Sequence, residues 1–150
     1  MKGTLYLIPN TLGPSEFDMV LPRDVVELIN SLDYFIVEND KTARAFIKSI
    51  LPEKNQRVIV MEILDKQTDP LDLPLFLAPL LKGKNAGIIS EAGVPCVADP
   101  GAELVGMAHR KGVPVKPCAT VWILVPPLRV ADWVKRFTVP VPTSAIVPRA

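Results

Sequence analysis

Cysteine is scarce in this sequence: Cys96 and Cys118 are the two present, and their separation matches neither a zinc-ligand nor a redox spacing. The one histidine, His109, has no partner motif and reads as surface chemistry near a helix end, where a cation is mildly favoured. No metal is therefore expected. No apolar run approaches the roughly 20 residues that cross a bilayer. The apolar stretch at the amino terminus, about five residues, is shorter than the roughly 7 to 15 of a secretory core. A soluble, cytoplasmic protein with reduced thiols is the expectation. Charge of one sign is also lacking. Seventeen basic against sixteen acidic residues leave +1, so no global field recruits nucleic acid or membrane, and any such contact is local. Finally, no G-x-G-x-x-G follows the first apolar run and no G-x-x-x-x-G-K-[ST] occurs, which argues against an ordinary dinucleotide or P-loop domain.

What is present is a core and an alternation. With 150 residues, 49% of them hydrophobic, one globular domain is expected. Thr4-Leu5-Tyr6-Leu7-Ile8 stops at Pro9 and predicts a buried strand. Pro22 opens a helix whose apolar face is Val25, Val26, Leu28, Ile29 and Leu32. Tyr34 to Val37 is a second strand. Asp40 as N-cap predicts a helix to about Ile50, with Ala43, Phe46, Ile47 and Ile50 on one face and Lys41, Arg44 and Lys48 on another. Arg57 to Met61 reads as a third strand. Leu71 to Leu81 reads as a helix made short or kinked by Pro74 and Pro79. Ala86 to Ile89 is a fourth strand. Asp99-Pro100-Gly101 opens a helix, with Ala102, Val105 and Ala108 inward, that Gly112 ends. Val113 to Val115 is a fifth, edge-like strand.

This alternation predicts an α/β fold: a mostly parallel sheet flanked by helices. Ligands of such sheets bind beyond the carboxyl ends of the strands, which directs attention to the loops 9–13, 38–40 and 90–99. Composition changes after Pro117. From Ala119 to Ala150 there is no glycine and a single acid, Asp132, without helical or strand periodicity.

The ordered set Gly3-Thr4-Leu5-Tyr6-Leu7-Ile8-Pro9 with Leu12-Gly13, Val37-Glu38-Asn39-Asp40-Lys41 with Arg44, Ser90-Glu91-Ala92-Gly93-Val94-Pro95, and Asp99-Pro100-Gly101 resembles the motifs of the tetrapyrrole-methylase superfamily. Within it the likeness is to the ribosomal RNA small subunit methyltransferase I branch, which methylates a cytidine 2′-hydroxyl of 16S ribosomal RNA. The resemblance implies the first domain of a two-domain fold, usually a homodimer, with S-adenosylmethionine in the interdomain cleft. It implies an N-terminal α/β domain over residues 1–117 and a divergent tail over 118–150 that replaces the start of the second domain. The family has Glu-Asp-x-Arg where this chain has Glu38-Asn39-Asp40-Lys41, and Ser-Asp-Ala-Gly where this chain has Ser90-Glu91-Ala92-Gly93. Its Gly-Pro-Ser loop is replaced by Cys118-Ala119-Thr120. A shifted reading frame or a truncated gene is the expected origin of the tail.

By the same resemblance Pro9, Ser90, Ala92, Gly93, Val94, Pro95 and Asp99 line the donor site, Glu38 positions or deprotonates the acceptor hydroxyl, and Lys41 and Arg44 meet RNA phosphates. Each has an ordinary structural alternative. Ser90 to Pro95 is also a plain strand-to-helix turn, Asp99 an N-cap, Pro9 a strand terminus, and Lys41 with Arg44 a solvated helix face. Methylation of a small tetrapyrrole, and a truncated non-catalytic remnant or dimerising module, stand as alternative functions.

Overall fold

The computed structural model describes residues 1–10, 21–91 and 101–118. Five strands and four helices alternate: β1 (Leu5–Ile8), α1 (Arg23–Ser31), β2 (Tyr34–Val37), α2 (Asp40–Ile50), β3 (Val60–Ile63), α3 (Leu73–Leu81), β4 (Ala86–Ile89), α4 (Gly101–Arg110) and β5 (Val115–Pro117). A 3-10 turn, Pro70–Asp72, leads into α3. The strands form one sheet in the order β3-β2-β4-β1-β5, and every pairing is parallel. The α/β, parallel-sheet expectation from the alternation is what the structure has. Among the described residues no helix is long and apolar enough to cross a membrane.

Strand side chains alternate between two cores. Leu5, Leu7, Tyr34, Ile36 and Ile88 pack with Leu77 and Leu80 of α3 and with Leu104 and Ala108 of α4. Ile8, Phe35, Val37 and Ile89 pack on the other side with Val25 and Ile29 of α1 and with Ala43, Phe46 and Ile47 of α2. Helices α1 and α2 therefore cover one face and α3 and α4 the other, as right-handed crossovers require when the chain runs first one way along the sheet and then back. The near-continuous burial of β2 and β4 is what a central parallel strand with both faces covered must have.

The element boundaries depart from the sequence expectation where local hydrogen bonding intervenes. Pro22 is the N-cap, and α1 begins at Arg23. Asn39, not Asp40, caps α2: its side-chain oxygen accepts from the Thr42 amide at 3.1 Å. The third strand begins at Val60 rather than Arg57. Asn55 holds the chain in a turn, accepting from the Arg57 amide at 3.0 Å through its side chain and from the Val58 amide at 3.4 Å through its carbonyl. The fifth strand begins at Val115 rather than Val113, because the Gly112 and Val113 amides are spent closing α4 on the His109 and Ala108 carbonyls, both at 2.9 Å. Gly112 takes φ +64 there, the left-handed conformation that ends a helix with least strain in glycine. Pro79 lies inside α3, yet the helix continues through it; the carbonyl its ring deprives of a donor is that of Leu75, on the exposed side of the helix.

Candidate functional site

The helices after β1 and β2 leave toward one face and the helix after β4 toward the other. Between those diverging exits an open parallel sheet leaves a crevice at its carboxyl edge. Here Glu38, Leu64, Ile89, Ser90 and Gly101 border a shallow depression open to solvent. A second continues past Glu38 and Ser90 to Asn39, Thr42 and Glu91. Glu38 and Ser90, from different strands, border both.

The residue that ties this edge together was not singled out by the sequence motifs. Asn10, 5% exposed, follows β1 and donates through Nδ2 to the Ser90 carbonyl at 3.1 Å and to the Glu91 carbonyl at 3.0 Å. One carboxamide thus fixes the turn after β4 from the neighbouring strand. The signal in the sequence was weak, since an Asn after Pro9 reads as an ordinary turn residue.

Of the sequence candidates, Pro9 is buried at the end of β1, Glu38 is half-buried at the end of β2, and Ser90 is buried at the end of β4; the strand order brings these three to one edge. Ala92, Gly93, Val94, Pro95 and Asp99 lie outside the described residues. Lys41 is exposed in the first turn of α2. Arg44 is committed within the chain: Nε donates to Asp40 Oδ1 at 2.9 Å and Oδ2 at 3.1 Å, and an Nη atom donates to the Gln56 carbonyl at 2.8 Å. A phosphate contact by Arg44 would share a guanidinium that already straps α2 to the approach to β3.

That strap yields a test. Arg44→Ala is expected to lower unfolding free energy by about 1–2 kcal/mol, discounted for the partial exposure of the pair. Arg44→Lys should recover little of it, because an ammonium lacks the planar fork. Lys41→Ala should stay within about 0.5 kcal/mol. Urea titrations decide it, and equal losses at the two positions would reject the strap.

Two groups near the sheet have raised pKa values. Burial, with Glu62 adding to it, pushes the Tyr34 phenol up to about 12, and its hydroxyl donates to the Phe76 carbonyl at 3.2 Å. Burial, with Asp24 adding to it, pushes the Cys118 thiol up to about 11. A thiol so raised is a poor nucleophile at neutral pH.

The fold and its edge define an open parallel α/β protein with a crevice where the helix exits diverge. Within that class, the chain is similar to ribosomal RNA small subunit methyltransferase I of several bacteria. The protein of Leptospira biflexa is 25% identical over 118 residues, which is 77% of this chain and 45% of that protein. The Micromonospora olivasterospora protein is 29% identical over 116 residues, 77% of this chain and 34% of that protein. The Escherichia coli O157:H7 protein is 25% identical over 127 residues, 82% and 42%. The resemblance carried by the motifs thus extends across most of the chain, while the chain spans less than half the length of these curated relatives. No family model matches.

Proposed function

We propose that this chain carries the donor-binding half of an S-adenosylmethionine-dependent methyltransferase whose acceptor is a ribose hydroxyl of ribosomal RNA. The observation that carries the reading is the convergence of Pro9, Glu38 and Ser90 at one edge of the sheet, in a chain similar to rRNA methyltransferases over three quarters of its length. On this reading residues 1–117 are the first domain, 118–150 stand where the second begins, and the working protein is a cytoplasmic homodimer.

The described lip fits such a donor in kind. Glu38 and Glu91 set negative charge beside the depressions, Leu64 and Ile89 give an apolar floor, and Gly101 presents no side chain to a ligand. The depression among the described residues is far smaller than the roughly 300–1,000 Å³ of a small-molecule site. The donor supplies an electrophilic methyl group on a sulfonium. The protein's part is to hold an acceptor oxygen in line with it and exclude water, an alignment worth about 7–11 kcal/mol of barrier. Glu38 is placed to orient or deprotonate that hydroxyl, a task that requires hydrogen-bond reach more than a large pKa shift. Ser90, Ala92, Gly93, Val94, Pro95 and Asp99 shape the donor pocket.

Titration of the chain with S-adenosylmethionine in a calorimeter should give a saturable heat, weak because the cleft is half built. With labelled donor, methyl should pass to 16S ribosomal RNA, and Glu38→Gln should lower transfer at least about 100-fold, well beyond any weakening of the donor heat. Label in a porphyrinogen instead would move the acceptor to a tetrapyrrole. No saturable heat at all would favour a non-catalytic remnant.

A further inference from the structure

The edge of the sheet opposite the crevice has a charge of its own. Lys2, Lys82, Lys84, Arg110 and Lys111 are all exposed there. The ladder puts them side by side. Leu5 pairs with both Ala86 and Val115, so the lead-ins to β1, β4 and β5 are neighbours. Thr4 donates its amide to Asn85 Oδ1 at 2.9 Å, and Lys2 Nζ donates to the Lys111 carbonyl at 2.6 Å. Lys82 is the C-cap of α3 and Arg110 ends α4.

None of these cations has an acidic partner among the described residues, where the ion pairs are Arg44 with Asp40 and Lys54 with Asp33. Asp33, which precedes β2 on this edge, is held by Lys54 at 3.6 Å. Helix dipoles account for part of the cluster, because the negative ends of α3 and α4 lie here and favour Lys82 and Arg110. They do not extend to Lys2, whose Nζ bonds the Lys111 carbonyl, or to Lys84, whose Nζ lies 5.6 Å from the Tyr34 ring centroid; neither contact neutralises charge, and two helix ends of about half a charge each offset roughly one cation. A net positive strip remains. The carboxyl edge leans the other way: Glu38, Asp72, Glu91 and Glu103 lie toward it against Arg23, Lys41 and Lys66, while Asp40 is paired with Arg44. Among the described residues the two edges thus differ in the sign of their charge.

We infer that the amino edge is a docking strip for the sugar-phosphate backbone of RNA, remote from the reacting atoms. The strip follows three adjacent strands set about 4.8 Å apart, so its cations form a short row, suited to a linear polyanion. The choice of RNA as that polyanion rests on the reading given under Proposed function.

The test uses the whole chain and a fluorescein-labelled uridine oligomer of about 20 nucleotides, followed by anisotropy between about 50 and 200 mM salt. The triple variant Lys82→Gln, Lys84→Gln, Lys111→Gln should bind at least about 10-fold more weakly, with a log–log salt slope shallower by about 2, since each single-strand phosphate contact contributes about 0.7. The variant Arg23→Gln, Lys66→Gln, at exposed positions away from the strip, should bind as the parent does. Urea midpoints of all three should agree, which excludes unfolding. An unchanged affinity and slope in the triple variant overturns the strip, as does equal weakening in the control. Binding to phosphatidylserine-containing vesicles without binding to the oligomer overturns it as well. The donor heat, read on the same triple variant, keeps the two readings apart. Heat retained while RNA binding falls supports the strip. Heat absent from the parent while RNA binding still depends on the strip rejects the donor reading alone.

Discussion

Asn10→Asp should destabilise the chain by about 3 kcal/mol or more at pH 8, a larger effect than a surface asparagine could have. The substitution is nearly isosteric, so shape is preserved. What changes is that a donor facing the Ser90 and Glu91 carbonyls, in a site 5% exposed, becomes a carboxylate facing two oxygens. A buried charge set against two carbonyl oxygens costs several kcal/mol unless it takes up a proton. The introduced carboxyl therefore has a folded pKa above its unfolded value of about 3.9. Between those two values the folded state binds more protons than the unfolded one, so stability falls as pH rises and levels off above the folded pKa. On acidification the variant should accordingly approach the parent, because a protonated carboxyl can again donate to one carbonyl. Urea unfolding of both proteins at pH 8 and pH 5 measures this. A deficit that does not shrink at the lower pH would mean that Asn10 is not the clamp. Asn10→Ala, which introduces no charge, should lose about 1–3 kcal/mol with no such pH dependence.

Phe35→Ala is expected to remove about 3–5 kcal/mol, the range for deleting a buried aromatic and leaving a void. Phe35 is fully buried in β2, and its ring lies over Gly87 of the adjoining strand. A Cβ at position 87 would meet Phe35 Cδ1 at 2.9 Å and Ile8 Cδ1 at 2.6 Å. The ring and the glycine are therefore one packing unit. Gly87→Ala alone should cost about 1–3 kcal/mol by overpacking, and the double variant should lose less than the sum of the two, since the methyl occupies space the ring vacates. A strictly additive double variant would show that they do not share a cavity.

Much of the fold was legible because the signals were local. Apolar runs at Leu5 to Ile8, Tyr34 to Val37 and Ala86 to Ile89 mark the central strands, and helical spacing marks Ala43, Phe46 and Ile47. Gly112 marks the end of α4. The edge strands were misplaced by two or three residues because turn chemistry at Asn55 and helix closure at Gly112 take up the amides that an apolar run would otherwise lend to a ladder. Asn39 took the cap from Asp40, whose carboxylate is drawn to Arg44 one turn on. At the lip, motif order pointed to Pro9, Glu38 and Ser90, and the strand order brings them together. Asn10 and the strap at Arg44 were not legible. The partners of Asn10 are backbone carbonyls 80 and 81 residues away, and that of Arg44 is a carbonyl 12 residues on; backbone acceptors leave no trace in side-chain identity.

The strand order has a consequence for how the chain is made. β1 leaves the ribosome before the other four strands but lies between β4 and β5, so neither of its ladders can close until the chain has grown past Ala86 and then Val115. Meanwhile β2 and β3, close in sequence, can pair early. The earliest of these strands is the last to be locked in, an apolar segment waiting for distant partners, and such waiting segments are where nascent chains are most exposed to aggregation and most in need of chaperones.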